Sequence, residues 1–282
     1  MRQVARHRFI ASGSIAKLVN RSIDRTNDRL MRLYHAGYID RPRAQLDRFP
    51  TSGSACIVYA LADRGVRLLR ERDGLSFANP EWSRKNREAG RPFIEHQIEI
   101  AEFQVALERA ARERGDVQLL HQSDILAVAP APTREARNPF LVRAKISHQG
   151  LTREIGVVPD LVFGFRFADG SRRCFMVEID RGTMPITRTD INQTSFERKL
   201  RVYLAAHSTG QHQRQFGWKT FRVLTVTSDQ RRLSSLIDAA KGLWPYRGLG
   251  SSLFLFASVN ELLTADPIKH AWRGTDRTSQ LL

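Results

Sequence analysis

The chain has 282 residues, of which 45 are Lys or Arg and 29 are Asp or Glu, so its formal net charge is +16. This length allows one large or two modest domains, and no apolar run approaches the roughly 18 residues that a membrane-spanning helix needs. The basic start lacks the apolar segment of a signal peptide. The composition therefore argues against a membrane protein, predicts a cytoplasmic one and favours a polyanionic partner.

A helix-turn-helix is predicted near the N-terminus, where the positive charge is concentrated. Residues 1–92 contain 19 basic and 9 acidic residues, against 26 and 20 in the remainder. Residues 14–19 indicate a short helix, Ser22 the N-cap of a second helix that runs to about His35, and Gly37 its end. The predicted apolar stripe of the second helix comprises Ile23, Leu30, Leu33 and Tyr34.

Two strands and a closing helix are expected next. Residues 38–41 and the alternating run 56–61 indicate the strands, and a loop at 42–54 rich in Arg, Pro, Gly and Ser connects them. Residues 63–72 indicate a helix with Val66 on its inner face. This order of elements is that of a winged helix.

The exposed face of the second predicted helix points to double-stranded DNA as the partner. Its arginines are spaced to enter a major groove, where guanidinium groups contact guanine edges or phosphates. Arginines in the loop would reach the backbone or the minor groove. The alternative is a solvated basic face that serves protein contact. The predicted DNA-binding residues are Ser22, Arg25, Thr26, Arg29, Arg32, Arg43 and Arg48.

A linker and a long helix follow. Residues 77–92 contain Asn79-Pro80 and Arg91-Pro92 and lack apolar periodicity, so they predict an exposed linker. Residues 94 to about 114 have an apolar period near 3.6 and predict an amphipathic helix. Glu95, Glu99 and Glu102 form a stripe beside its apolar face.

Two apolar runs in the middle of the chain predict a β-hairpin. Residues 156–165 and 174–180 are joined by the turn-forming cluster 168–171. Asp160 begins the first strand and Glu178 ends the second, so antiparallel pairing brings the two acids together. Carboxylates at close range repel, and the remedies are a shared proton, a basic neighbour or a divalent cation. The hairpin therefore predicts a metal or phosphate site.

The remaining pattern alternates strands and helices. It predicts an α/β sandwich of the α+β class with a mixed central sheet, and a polar tail from residue 266 that frays. The predicted strands are 117–129, 141–146, 154–158, 221–227 and 253–257, and the predicted helices are 189–207, 231–243 and 259–263.

The central acids carry a family resemblance. Pro159-Asp160, an apolar strand and then Glu178-x-Asp180 resemble the PD-(D/E)xK nuclease pattern, with Asp180 in place of the usual lysine. The wider run from Glu178 to Thr183, after the winged-helix-like segment, resembles the plasmid replication-relaxation family over most of residues 1–265. The resulting domain prediction is a winged helix at 1–76, a linker at 77–92, a restriction-endonuclease-like domain at 93–265 and a tail at 266–282.

This resemblance implies roles for individual residues. Asp160 and Glu178 would hold Mg²⁺, with Glu95 or Glu99 lent by the long helix. A lysine normally positions the attacking water; Lys199 on the following helix is the leading candidate, and Arg181 is a weaker one. If neither reaches the site, the three carboxylates bind metal or pair with Arg181 and Arg198 without cleavage. The predicted catalytic set is Asp160, Glu178, Asp180 and Lys199.

Three functional hypotheses follow. The first is a sequence-recognising DNA-binding protein of a plasmid or other mobile element, acting in replication, mobilisation or relaxation beside the relaxase or replication proteins of that element. The second is a Mg²⁺-dependent DNA endonuclease. The third is a transcriptional regulator whose larger domain forms a homodimer without catalysis. No Walker-type loop, G-x-S-x-G or H-E-x-x-H motif points to another chemistry.

Overall fold

The computed structural model of the chain describes residues 1–45, 56–74, 81–148, 150–243 and 252–282. These residues divide into two compact units, Met1–Arg109 and Ala110–Leu282. The fold class is the predicted one, a mixed α+β protein with a mixed central sheet.

The first unit combines helices with a small antiparallel sheet. Its three strands lie in the order β1-β3-β2. Helices α2 and α3 occupy the two segments predicted as the helix-turn-helix, whereas the short strand before them was not predicted. Its elements are α1 (Arg2–Arg6), β1 (Ile10–Ala11), α2 (Ser12–Val19), α3 (Ile23–His35), β2 (Ile39–Asp40), a 3-10 turn (Arg43–Gln45), β3 (Val58–Leu61), α4 (Asp63–Asp73), α5 (Trp82–Glu88) and α6 (Arg91–Arg114).

The buried face of α3 differs from the predicted stripe. Leu30 is buried as predicted, but Ile23 is 39% exposed and Tyr34 is 37% exposed. Thr26 is buried instead, and Leu33 packs against the core of the first unit. Positions 26, 30 and 33 are spaced four and three apart, so they form one helix face. The exposed Tyr34 ring stacks instead under the Arg41 guanidinium, 4.3 Å away.

The segment predicted as an exposed linker contains a packed helix. Residues 75–80 lie outside the described part of the chain, but α5 is held on the first unit. The backbone N–H of Trp82 donates to Asp63 Oδ1 at 2.8 Å. Asn86 is 1% exposed and donates through Nδ2 to the carbonyl of Leu61 at 2.8 Å. These polar contacts hold α5, which explains why apolar periodicity did not reveal it.

Most of α6 belongs to the first unit. Ala101 and Val105 pack into the same core as residues of α2, α3 and β3. The predicted domain limits instead placed this helix at the start of the second domain. The structural division falls after Arg109 instead, since apolar side chains of α6 pack into the first unit's core.

The second unit is built on a mixed seven-stranded sheet in the order β12-β11-β10-β9-β8-β7-β4, with a separate two-stranded sheet of β5 and β6. The hairpin of β7 and β8 is antiparallel, and β8, β9 and β10 are parallel. The strands are β4 (Val117–Leu120), β5 (Val142–His148), β6 (Leu151–Val157), β7 (Leu161–Phe167), β8 (Arg172–Asp180), β9 (Arg222–Thr227), β10 (Phe254–Ser258), β11 (Trp272–Arg273) and β12 (Thr278–Ser279). The helices are α7 (Gln122–Ala127), α8 (Ala131–Glu135), α9 (Phe196–Ser208), α10 (Gln211–Phe216), α11 (Gln230–Gly242) and α12 (Val259–Thr264).

The predicted strand 117–129 is strand only to Leu120. A capping box between His121 and Asp124 starts α7, in which the His121 backbone N–H donates to Asp124 Oδ2 at 2.8 Å. The local capping signal therefore prevails over the apolar content of this run.

The C-terminal residues do not form the predicted frayed tail. Trp272 is fully buried, pairs through β11 with β10, and donates its indole N–H to the carbonyl of Pro267 at 2.9 Å. Ile268 and Leu281 are also buried. Apolar side chains are sparse in this polar sequence, yet its strands β11 and β12 form one edge of the seven-stranded sheet.

Candidate functional site

The start of α3 presents a row of arginines to solvent. Ser22 caps the helix by accepting a hydrogen bond from the backbone N–H of Arg25 at 3.4 Å. Arg25, Arg29 and Arg32 are exposed, and no carboxylate of the described residues lies within salt-bridge distance of any of them. Their spacing of four and three places them on one ridge about 10 Å long.

The structure describes two of the three other predicted DNA-contacting residues, one buried and one exposed. Thr26 is wrong as an exposed contact, because its side chain is buried in the face that carries Leu30. Arg43 is exposed on the 3-10 turn after β2. Arg48 lies outside the described residues.

The hairpin brings Asp160 and Glu178 to the same end of the central sheet. Leu161 pairs with Val177, so Asp160 lies beside the last residues of β8. The backbone N–H of Asp160 donates to the Val177 carbonyl at 2.9 Å, and Asp160 Oδ2 accepts from the Ile179 N–H at 2.8 Å. The carboxylate of Asp160 is therefore oriented by the backbone of the neighbouring strand.

Glu178 is the most buried of these acids, at 1% exposure. Its Oε2 lies 2.5 Å from Lys199 Nζ, and its Oε1 accepts a hydrogen bond from the Tyr203 hydroxyl. Burial raises the pKa of Glu178 to about 7; Lys199 opposes this shift and Asp160 adds to it. Glu178 thus has a basic partner and a neighbouring acid.

Lys199 is placed by the first turn of α9. That helix begins at Phe196, later than predicted, because Ser195 caps it by accepting from the Arg198 N–H at 3.2 Å. Burial lowers the pKa of Lys199, but the carboxylates of Glu178 and Asp160 outweigh it, so the pKa is raised above its ordinary value. The structure therefore brings Asp160, Glu178 and Lys199 together.

Asp180 is in a separate ion pair. Arg232 of α11 binds it in bidentate fashion, with Nε 2.8 Å from Oδ2 and Nη2 3.1 Å from Oδ1. Thr227 also donates its hydroxyl to Asp180 Oδ2 at 2.8 Å. Arg198, an expected partner of the acids, instead donates to the Asn192 carbonyl at 2.8 Å.

The two acids predicted from the long helix lie in the other unit. Glu95 and Glu99 belong to α6 within Met1–Arg109, and Glu95 pairs with Arg91 at 2.8 Å. Within the described ranges, no group of three or more His, Cys, Asp or Glu side chains is arranged to hold a metal ion.

Comparison with known families decides where this architecture belongs. Residues 1–220 match the sequence model of a family described as replication-relaxation. The chain belongs to the replication-relaxation family. No curated protein and no solved structure gives a significant match to it.

The match to the replication-relaxation family spans both candidate sites. It contains the arginines of α3 as well as Asp160, Glu178 and Lys199, and it ends before β9 and α11. Membership supports a role in the replication or relaxation of a plasmid or other mobile element. None of the helices described for this member of the family could cross a bilayer.

Two residues of the carboxylate cluster were missed from the sequence. Tyr203 was not among the predicted site residues, although it is four positions after Lys199 and therefore on the same helix face. Burial raises its pKa well above the ordinary value, and Glu178 adds to the shift. Arg232 had no local signal, because its contact with Asp180 depends on how α11 packs on the sheet.

Proposed function

We propose that the chain is a double-stranded DNA-binding protein of a plasmid or other mobile element, and that α3 is its recognition helix. The observation that carries this proposal is the ridge of Arg25, Arg29 and Arg32, three exposed arginines of α3 that have no carboxylate partner among the described residues. The order of helices and strands around α3 supports a winged helix.

The three arginines of α3 contribute little to the stability of the fold. Exposed charges in water contribute little to stability, so folding alone does not account for three arginines on one ridge. Guanidinium groups form bidentate contacts with guanine O6 and N7 and with phosphate oxygens. Exposed Arg43 on the turn after β2 adds a further cation near the start of the predicted wing.

A gel-shift titration at increasing salt tests this function. In the Arg25→Gln/Arg29→Gln variant, binding to duplex DNA should weaken at least tenfold. The slope of log K against log salt should become less negative by about 1.8, since each lost phosphate contact removes roughly 0.9. Loss of base contacts instead of phosphate contacts would reduce sequence preference.

The matched control is Arg67→Gln/Arg72→Gln, which removes the same charge from exposed positions of α4 in the same unit. The control should change the slope far less. If both variants weaken binding equally, the effect is one of net charge, and the assignment of α3 as the recognition helix fails.

A second candidate function, Mg²⁺-dependent phosphodiester cleavage, is favoured by the convergence of Asp160, Glu178 and Lys199. Mg²⁺ is commonly held by one or two carboxylates together with water and substrate phosphate, so the two acids fit its minimal requirement. Each carboxylate oxygen has two lone pairs, so Glu178 keeps acceptor capacity beside its bonds to Lys199 and Tyr203. When bound, the cation would supply charge stabilisation at the phosphate.

The residues of the chain would supply the remaining functions of that site. The backbone N–H of Ile179 holds the Asp160 carboxylate in place. Lys199, whose pKa is raised, stays protonated and is available to bind a phosphate oxygen or orient a water. Tyr203 fixes the second oxygen of Glu178.

Cleavage is tested by incubating supercoiled plasmid with the protein and Mg²⁺ or Mn²⁺. The wild type should nick the plasmid, whereas Asp160→Asn and Lys199→Met should each reduce the rate at least 100-fold. Asp169→Asn, in the exposed β7–β8 turn, is the control and should keep full activity. Wild-type protein that leaves the plasmid intact with either metal would exclude the nuclease and leave DNA binding by α3 unaffected.

A further inference from the structure

A cleft of about 550 Å³ in the second unit is lined by three arginines. Arg137 follows α8, Arg143 lies on β5, and Arg214 lies on α10. Asn138 and Gln211 add amide groups to the lining, and no carboxylate is among the described residues that form it. The charged side chains that line the cleft are therefore all positive.

The walls of the cleft are held by hydrogen bonds within the protein. Gln215 donates through Nε2 to the carbonyls of Pro139 at 2.9 Å and Leu141 at 3.0 Å. Its own backbone carbonyl accepts from the buried Thr133 hydroxyl at 2.5 Å. Behind this wall, the rings of Phe140 and Phe216 stack with centroids 5.9 Å apart. One glutamine thus ties α8, α10 and the approach to β5 together before any ligand binds.

The arginines of the cleft are not neutralised by carboxylates of the described chain. Arg137 and Arg143 are exposed, and no carboxylate of the described chain lies within salt-bridge distance of either. Arg214 donates through Nη1 to the Thr209 carbonyl at 2.8 Å, which orients its guanidinium without neutralising it. Like charges around one cleft repel, and a bound anion would remove that repulsion.

We propose that this arginine cleft binds phosphate groups. Guanidinium groups contact phosphate oxygens through paired N–H donors, and a volume near 550 Å³ accommodates a nucleotide-sized group. The source of the phosphate is the backbone of bound DNA or a free nucleotide. The DNA source rests on the proposed function, to which it adds a second contact outside α3.

The test uses the full chain in two arms. In the first arm, inorganic pyrophosphate and deoxyadenosine monophosphate are titrated calorimetrically into the wild type and into Arg143→Gln/Arg214→Gln. In the second arm, duplex DNA affinity is measured against salt for the same proteins. The control is Lys145→Gln/Arg153→Gln, which removes equal charge from exposed positions of β5 and β6 outside the cleft.

The expected result is a loss specific to the cleft variant. If the ligand is DNA backbone, the salt slope falls by about 1.8 in the cleft variant and remains near the wild-type value in the control. If the ligand is a free nucleotide, binding of the small phosphates falls at least tenfold and duplex affinity does not change. The proposal is overturned if the cleft variant matches the control in both arms.

Two further results keep this test separate from the test of α3. Wild-type protein that binds no duplex would refute the proposed function, while the calorimetric arm would still decide the cleft. If the glutamine variant does not fold, Arg143→Lys/Arg214→Lys replaces it. The charge remains in this variant but the paired N–H donors are lost, so binding should weaken at least threefold. A lysine variant that binds both ligands as tightly as the wild type would contradict the proposal.

Discussion

The arginines of α3 and the acids of the central hairpin represent two ways in which this protein carries charge. Arg25, Arg29 and Arg32 are exposed and have no carboxylate partner among the described residues. Glu178 and Asp180 are buried, and each is paired with a cation from a different helix. A buried charge without its partner destabilises the folded protein, whereas an exposed charge is stabilised by water. The exposed group is therefore the stronger indication of function.

The acids also differ from one another. Both carboxylate oxygens of Asp180 accept hydrogen bonds within the protein, from the bidentate Arg232 guanidinium and from the Thr227 hydroxyl. Glu178 has the nearby acid Asp160, which adds to the raised pKa that burial causes. A buried acid with a perturbed pKa and a specific charge partner is a candidate for function. This contrast separates Glu178 from Asp180 within a single strand.

The largest effect on stability is expected from Arg232→Ala. It leaves the Asp180 carboxylate, whose side chain is 4% exposed, without its cation, and loss of one member of a buried pair costs about 3–5 kcal/mol. The control, Arg201→Ala, breaks the more exposed pair with Glu197 on α9 and should cost below about 1 kcal/mol. Urea unfolding measures both free energies, and equal losses would show that burial does not distinguish these pairs.

A smaller effect is expected on the pH dependence of stability. The pKa of Glu178 is about 7 in the folded chain, against an ordinary value of 4.5 for a glutamate side chain. Between these values the folded state binds more protons than the unfolded state, so its free energy of unfolding falls as pH rises. The wild type should lose roughly 2–3 kcal/mol relative to Glu178→Gln between pH 4.5 and 7.

The control for this measurement is Asp169→Asn. Hydrogen bonding from Ser171 lowers the pKa of Asp169, so that group titrates below the window in question. Its unfolding curve should follow the wild type from pH 5 upward. If Glu178→Gln also runs parallel to the wild type over this range, Glu178 is ionised in the folded protein well below pH 7.

Local signals in the sequence were sufficient for part of each site. The N-cap at Ser22 and the arginine spacing predicted the start and the exposed ridge of α3. The turn between β7 and β8 predicted that Asp160 and Glu178 meet. These inferences depend on neighbours in sequence, where propensity and periodicity are informative, whereas Lys199 was implied by the family resemblance.

The missed features depend on long-range packing. Arg232 reaches Asp180 across 52 positions, through the parallel pairing of β8 with β9 and the packing of α11. The strand at Trp272 forms because β10 offers an edge for pairing, which a polar tail sequence does not reveal. On α3, the apolar character of Ile23 predicted that it would be buried, but the structure buries Thr26 and exposes Ile23.

The smallest expected effect concerns this last residue. Thr26 is buried, and its Oγ1 has no hydrogen-bond partner among the described residues. Because a buried hydroxyl without a partner costs about 1–3 kcal/mol, the nearly isosteric change Thr26→Val should raise the free energy of unfolding by roughly 1 kcal/mol while DNA affinity is retained. Arg25→Gln should show the reverse, with unchanged stability and weaker binding. A loss of DNA affinity in Thr26→Val equal to that in Arg25→Gln would return Thr26 to the binding face and rotate the proposed recognition surface of α3.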